Sequence, residues 1–117
     1  MRQSRLTTLA IVIAAVSATP AGAELLRAKC VLEIDGETYI EGPCPGVRED
    51  DGSFTLGADG KSQVSGYFAM VIVNGPDTAS AYWNEAPGSS HAQGELGEVH
   101  RDGACWSNAR ARLCAWR

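Results

Sequence analysis

The C-terminal stretch DGACWSNARARLCAWR (102–117) places Cys105 and Cys114 on either side of a short polar segment that contains no Gly. A disulfide between these cysteines would join two strands around a tight turn and set Trp106 opposite Leu113. Such a cross-strand apolar pair gives a hairpin one face that can be buried. The stretch therefore predicts a disulfide-locked β-hairpin at the end of the chain.

The cysteine usage of the whole chain supports this interpretation. Four cysteines occur, all of them after residue 23, and an even number in a short exported chain is typical of a disulfide framework. A Cys/His metal site with His91 and His100 is the competing interpretation, but the spacings lack any CxxC or HxxxH cluster. We therefore predict no metal ion, no other cofactor, and two local disulfides, Cys30–Cys44 and Cys105–Cys114.

The N-terminal residues have the pattern of a signal peptide. Two arginines precede an uncharged run over 6–18, and small residues follow at 21–23. That run is shorter than the roughly 20 residues that a helix needs to cross a bilayer. We therefore predict a signal peptide over 1–23, a single disulfide-bonded β domain over 24–117, no transmembrane anchor after cleavage, and a periplasmic or secreted location.

The charge is uneven along the chain. Residues 24–100 contain 13 acidic and four basic side chains, whereas 101–117 contain four arginines and one acidic residue. The net charge of −4 argues against nucleic-acid binding, which usually goes with a basic excess. The basic end can instead face an acidic partner or the acidic part of the same molecule.

Turn signals recur about every ten residues without a helical period, which is typical of short antiparallel strands. Asp35-Gly36 and Asp102-Gly103 each predict a tight hairpin turn, since Gly accepts positive φ freely and Asp better than most residues. We expect a mostly β fold, a small antiparallel sheet, sandwich or barrel of about six to eight short strands with two disulfides.

The composition of three further segments predicts their local structure. The Pro- and Gly-rich segment 42–54 predicts a loop tied back to Cys30. The segment 67–73 is apolar on both faces, which predicts a strand that lies centrally in the sheet or is covered on both sides. The segment 84–97 is rich in Gly, Ser, Ala and Pro and predicts the longest surface loop.

The loop around His91 is a candidate catalytic site. Ser89 and Ser90 adjoin His91, but nucleophilic catalysis needs a serine, a base and an orienting group within hydrogen-bond reach. Adjacency in the sequence does not supply that geometry. We therefore name no catalytic residue and keep a small envelope hydrolase that uses His91 as an alternative.

The segment Trp83, Asn84, Glu85 is a candidate ligand contact. An aromatic ring beside an amide and a carboxylate can bind a sugar by stacking and hydrogen bonds, whereas Trp also commonly fills β cores with its polar end near solvent. Both interpretations are left open here.

The C-terminal arginines and tryptophans form the third candidate. Guanidinium groups on a rigid hairpin bind carboxylates or phosphates, and Arg with Trp is typical of protein-binding hot spots. The arginines can also pair with carboxylates or stack on tryptophans within the same molecule. The candidate residues are Trp106, Arg110, Arg112, Trp116 and Arg117.

The end DGACWSNARARLCAW, together with CVLEIDGETYIEGPC (30–44), resembles a type of small exported bacterial protein. The resemblance implies export and no particular activity. In size and compartment the chain is also similar to the periplasmic lysozyme inhibitors, but Ser65-Gly66-Tyr67 lacks the two-residue spacer of their S-G-x-x-Y loop.

Taken together, these patterns predict a non-enzymatic exported module that binds an envelope protein or an acidic or glycan polymer. An inhibitor of another protein is one form of such a module. The expected contacts are the C-terminal arginine hairpin and the region from Trp83 to His91, His91 included. A structural envelope component is a further alternative.

Overall fold

A computed structural model describes residues 24–116, and within them eight antiparallel strands close into a barrel. Each strand pairs with its neighbours in chain order, and the last strand pairs with the first. The predicted signal peptide over 1–23 lies outside the described residues. The strands are β1 (Glu24–Ile34), β2 (Glu37–Arg48), β3 (Phe54–Leu56), β4 (Ala69–Val73), β5 (Thr78–Trp83), β6 (Gly94–Asp102), β7 (Cys105–Ser107) and β8 (Ala111–Trp116).

The inside of the barrel is filled with side chains, because alternate residues of each strand point inward. Large apolar residues face small ones across the interior, which lets short strands close around a dense core. The large inward residues include Leu32, Leu56, Val71, Val99 and Leu113, and the small ones Ala69, Ala79, Ala81 and Ala111, all of them buried. The prediction of a mostly β fold with two disulfides is confirmed, with the barrel as its form.

Both predicted disulfides are present. Cys105 and Cys114 lie directly opposite each other on β7 and β8, and Trp106 lies opposite Leu113, as the C-terminal stretch predicts. The second bridge joins Cys30 on β1 with Cys44 on β2. Each disulfide therefore links neighbouring strands.

The expectation of a loop over 42–54 is wrong for its first half, since β2 continues to Arg48. Pro43 and Pro45 are tolerated there because β3 pairs only with the end of β2, Gly46–Arg48. On that side the carbonyl oxygen of Pro45 accepts a hydrogen bond of 2.8 Å from the N–H of Gly57, a contact that requires no N–H of the proline. The loop is therefore confined to residues 49–53.

Of the two expectations for 67–73, a central position in the sheet is met, since β4 pairs with both β3 and β5, whereas cover on both faces is not. The strand is shorter, and Val71 faces the core whereas Ile72 faces outward and is 40% exposed. A closed barrel turns the outer face of every strand toward solvent, so alternate apolar residues remain outside. The next segment of the chain, TASAYW (78–83), forms β5 and pairs antiparallel with β4.

Both predicted hairpin turns are present, but the second is shifted by one residue along the chain. Asp35 and Gly36 both have positive φ, 52° and 83°, as a two-residue turn of this type requires. At the second signal the register pairs Asp102 with Cys105, so the turn residues are Gly103, with φ 62°, and Ala104. Gly at the first central position fits the alternative tight hairpin turn.

The longest segment between strands is 57–68, which joins β3 to β4. The segment 84–93, which joins β5 to β6, is shorter, so the expectation that it is the longest loop is wrong. Among residues 24–116, no helix has the length and apolar character needed to span a bilayer.

Candidate ligand-binding site

The barrel has two ends because its connections alternate between them. We name one end the mouth, formed by segments 49–53, 74–77 and 103–104. The other, the far end, is formed by segments 35–36, 57–68, 84–93 and 108–110.

A pocket of about 260 Å³ opens at the mouth. Its lining combines charged and aromatic side chains that are distant in sequence. They include Arg48, Asp51, Phe54, Arg101, Trp106 and Trp116.

The two arginines reach the pocket from opposite sides of the barrel. Arg48 is the last residue of β2 and shares the inward face of that strand with Cys44 and Gly46. Arg101 is near the end of β6, shares the inward face with Val99, and lies opposite Trp106 in the register. Since β2 and β6 are four strands apart in a ring of eight, their ends flank the opening from both sides.

Both guanidinium groups are available for a ligand. Among the side chains that the structure describes, neither Arg48 nor Arg101 forms an ion pair with a carboxylate. The Nε of Arg101 donates only a long hydrogen bond, 3.5 Å, to the carbonyl oxygen of Gly103. Arginine remains protonated at any physiological pH, so the mouth holds two fixed positive charges.

One carboxylate also lines the pocket. The Asp51 carboxylate accepts a hydrogen bond of 2.8 Å from the backbone N–H of Ser53. This hydrogen bond stabilises the ionised form and lowers the pKa of Asp51 below its ordinary value. The lining therefore contains two positive charges and one negative charge at neutral pH.

Part of the pocket lining is apolar. Phe54 and Trp106 are buried members of the barrel core that also line the pocket, and Val73 is packed against the same core. Small residues at the turns, such as Gly75 and Gly103, also line the pocket. The pocket can thus hold an apolar group beside an anionic group.

The structure separates the residues that the sequence analysis singled out. Trp106 and Trp116 line the pocket at the mouth. Arg117 lies outside the described residues. The remaining six residues lie at or beside the far end, away from that pocket: Trp83, Asn84, Glu85, His91, Arg110 and Arg112.

Arg110 is engaged within the molecule. Its Nε and Nη2 donate hydrogen bonds of 3.2 and 3.1 Å to the two carboxylate oxygens of Asp35, and this ion pair holds the pKa of Asp35 below its ordinary value of 3.8. The second interpretation of the C-terminal arginines, pairing with the acidic part of the chain, therefore holds for Arg110. Arg112 is exposed on the outer wall, opposite Glu33 in the register.

Trp83 and Asn84 contribute to packing at the far end. The ring of Trp83 lies 4.7 Å from that of Tyr39 and 5.9 Å from that of Tyr67, measured between centroids. Asn84 is buried and its side chain is fully hydrogen-bonded to backbone groups. Glu85 is exposed, with a positive φ of 60°.

His91 is exposed, and the neighbouring hydroxyl does not contact its ring. The Ser89 Oγ donates instead to the backbone carbonyl oxygen of His91, at 3.4 Å. Within residues 24–116, no hydrogen bond joins the imidazole to a hydroxyl or a carboxylate, and no three His, Cys, Asp or Glu residues are grouped as metal ligands. The hydrolase alternative thus stays a sequence-based prediction.

Arg48 and Arg101 were not among the residues singled out from the sequence. Arg48 was hidden by the loop expected over 42–54, because the inward alternation of β2 is only visible once that segment is a strand. In the sequence, Arg48 and Arg101 are simply charged residues near the ends of two β-rich segments. Charged residues are common at such surface positions, so this feature does not single out a site.

No protein-family model, curated protein or solved structure matches this chain. The class that its fold and pocket define is a small, disulfide-bonded, eight-stranded antiparallel barrel with a charged pocket at one end.

Proposed function

We propose that this chain is an exported, non-enzymatic binding module that binds an anionic group of an envelope protein or polymer at the mouth of its barrel. The observation that carries the proposal is the approach of Arg48 and Arg101 to one pocket from opposite sides. Charge-assisted hydrogen bonds from guanidinium groups are the strong interactions of carboxylate and phosphate recognition.

Binding is favoured over catalysis by the chemistry of these groups. A guanidinium stays protonated near neutral pH, so the arginines serve as hydrogen-bond donors and fixed charges and not as general bases. The aromatic rings of Trp106 and Trp116 add contact area that suits recognition. The proposal therefore moves the contact surface from the Arg110 hairpin to the mouth.

The proposed location rests on two arguments. Two disulfides favour an oxidising compartment such as the periplasm or the cell exterior. The signal peptide over 1–23 remains a sequence-based prediction that the described residues do not address. N-terminal sequencing of the exported protein tests that part directly, with Glu24 as the expected first residue.

Anion binding is tested with poly-L-glutamate and glutarate as probes, using isothermal titration calorimetry and tryptophan emission. We expect a double variant, Arg48→Gln with Arg101→Gln, to weaken binding of either probe by about tenfold or more, since each lost charged hydrogen bond is worth roughly a factor of ten. Salt should weaken binding to the unsubstituted protein in the same experiment.

The matched control is Arg112→Gln, which removes the same kind of charge from the outer wall beside the far end. It is expected to keep the affinity within about twofold, because surface charges far from a site are screened. Equal affinities in the double variant and the unsubstituted protein would overturn the proposal. A loss of affinity in Arg112→Gln as large as that in the double variant would also overturn it.

A further inference from the structure

The pocket at the mouth is lined by buried aromatic rings as well as by charged groups, and both bear on the kind of ligand. Phe54 and Trp106 belong to the buried core, whereas Arg48 is half-buried and Arg101 is exposed. In the register Phe54 lies opposite Arg48, and Trp106 lies opposite Arg101. An ion alone would use only the charged groups. A ligand with an apolar body would also bury surface against the two aromatic rings, which adds binding free energy.

The volume sets the size of that apolar body. The pocket measures about 260 Å³, whereas a dry cavity of roughly 150 Å³ in a protein core holds one benzene molecule. A single six-membered ring with a short arm fits this space.

The net charge of the pocket lining determines how much negative charge the ligand can bring. Two guanidinium groups and the Asp51 carboxylate leave one net positive charge in the lining. A single carboxylate neutralises that charge, whereas one group that itself carries two negative charges, such as a phosphate dianion, is repelled by Asp51. The charged part of the lining is therefore complementary to a group with one negative charge.

We propose that the mouth pocket binds a monocarboxylate attached by a short arm to one flat apolar ring, with the ring on Phe54 and Trp106 and the carboxylate between Arg48 and Arg101. This inference rests on the proposed function and specifies its ligand class. The same moiety occurs in free aryl acids and at the carboxyl end of a chain that terminates in an aromatic residue.

The proposal is tested by calorimetry on the exported protein with four small probes. The probe with both features is 3-phenylpropanoate, and N-acetylphenylalanine presents the same moiety as a chain terminus. Acetate has the charge without the ring, and 3-phenylpropanamide has the ring without the charge. We expect 3-phenylpropanoate to bind with a dissociation constant of about 1 mM or below, and at least about tenfold more tightly than acetate or the amide.

A pair of matched variants locates the binding. Ala104 lines the pocket at the β6–β7 turn, so Ala104→Leu fills part of the space while leaving both arginines in place. We expect this variant to bind 3-phenylpropanoate about tenfold more weakly. Ala109→Leu makes the same change at the exposed β7–β8 turn of the far end and is expected to leave the affinity unchanged. Equal urea midpoints of the two variants show that both are folded.

The outcomes separate the two proposals. If glutarate binds at the mouth but 3-phenylpropanoate binds no better than acetate, the ligand class is wrong and the anion-binding module stands. If phenyl phosphate, a dianion near neutral pH, binds more tightly than 3-phenylpropanoate, the monocarboxylate assignment is wrong. If no anion binds, both proposals fail. Tighter binding of N-acetylphenylalanine than of 3-phenylpropanoate supports a chain terminus as the source of the moiety.

Discussion

Asn84 joins three backbone segments at the far end of the barrel. Its Oδ1 accepts a hydrogen bond of 3.0 Å from the N–H of Phe68, and its Nδ2 donates to the carbonyl oxygens of Gly66 and Ser89. The side chain is 2% exposed, so water cannot replace these partners. This residue therefore holds the loops 57–68 and 84–93 together.

Substitution of Asn84 is expected to destabilise the fold strongly. Asn84→Ala leaves buried backbone groups without partners and should cost about 2–3 kcal/mol of unfolding free energy. Asn84→Asp should cost at least as much at neutral pH, because a carboxylate would face the carbonyl oxygens of Gly66 and Ser89. Urea unfolding followed by circular dichroism measures both.

The exposed Asn74, which bonds Thr78 and Ser80 at the mouth, provides the control for these substitutions. Asn74→Ala should cost under about 1 kcal/mol, since water can solvate the partners that it leaves. A cost for Asn84→Ala no greater than that for Asn74→Ala would contradict the structural role.

At the scale of elements, the hairpin tips of β1–β2 and β7–β8 meet where the first and last strands pair. The backbone N–H of Asp35 donates a hydrogen bond of 2.8 Å to the carbonyl oxygen of Arg110, and the two side chains form the ion pair described above. Residues far apart in the chain thus tie the two tips together. This contact closes the barrel at the far end.

The ion pair makes a small part of the stability depend on pH. The pKa of Asp35 is lowered in the folded state, mainly by the hydrogen bond from Arg110. The contribution of Asp35 to the unfolding free energy is therefore present above the ordinary pKa of 3.8 and is lost as the pH falls through the lowered pKa. We expect Arg110→Gln to raise the pKa of Asp35 toward 3.8, as measured by NMR titration of the side-chain carboxyl carbon.

The control within the same spectra is Asp59. Backbone N–H groups of Ser62 and Lys61 lower its pKa, so Arg110→Gln should not move it. An Asp35 titration that is the same in both proteins would show that the ion pair is not formed in solution. An equal upward shift of both carboxyl groups would point to a general loss of structure.

The hairpins could be predicted from the sequence because their signals are local. Asp35-Gly36 set the first turn, and the spacing of Cys105 and Cys114 set the register of the last hairpin. The extension of β2 to Arg48 could not be predicted, since its prolines argue for a loop unless one knows that β3 leaves that edge unpaired. The turn of the last hairpin, which has no Gly, is held by Asn108.

For the whole molecule, the two disulfides carry much of the stability. They close loops with sequence separations of 14 and 9 residues, and chain entropy gives each about 3 kcal/mol. A domain of this size has a total unfolding free energy of roughly 5–15 kcal/mol. Loss of both bridges should therefore remove a large fraction of it.

We expect each double substitution to Ala, at Cys30 with Cys44 or at Cys105 with Cys114, to lower the unfolding free energy by about 3 kcal/mol. Removal of all four cysteines should lower it by about 6 kcal/mol, if the two pairs act independently. The midpoints of urea unfolding test this. A four-cysteine variant as stable as the unsubstituted protein would show that the barrel core suffices without the bridges.

The amino-acid sequence by itself determined the strand content, two hairpin turns and the pairing of the cysteines, because these depend on residues that are near one another in the chain. Only the tertiary structure decided that the strands close into a barrel, that Arg110 pairs with Asp35, and that Arg48 and Arg101 share one pocket. The physical reason is closure. Pairing β8 with β1 sets which strand ends meet at the mouth, and that ring-wide register is not encoded in any short segment.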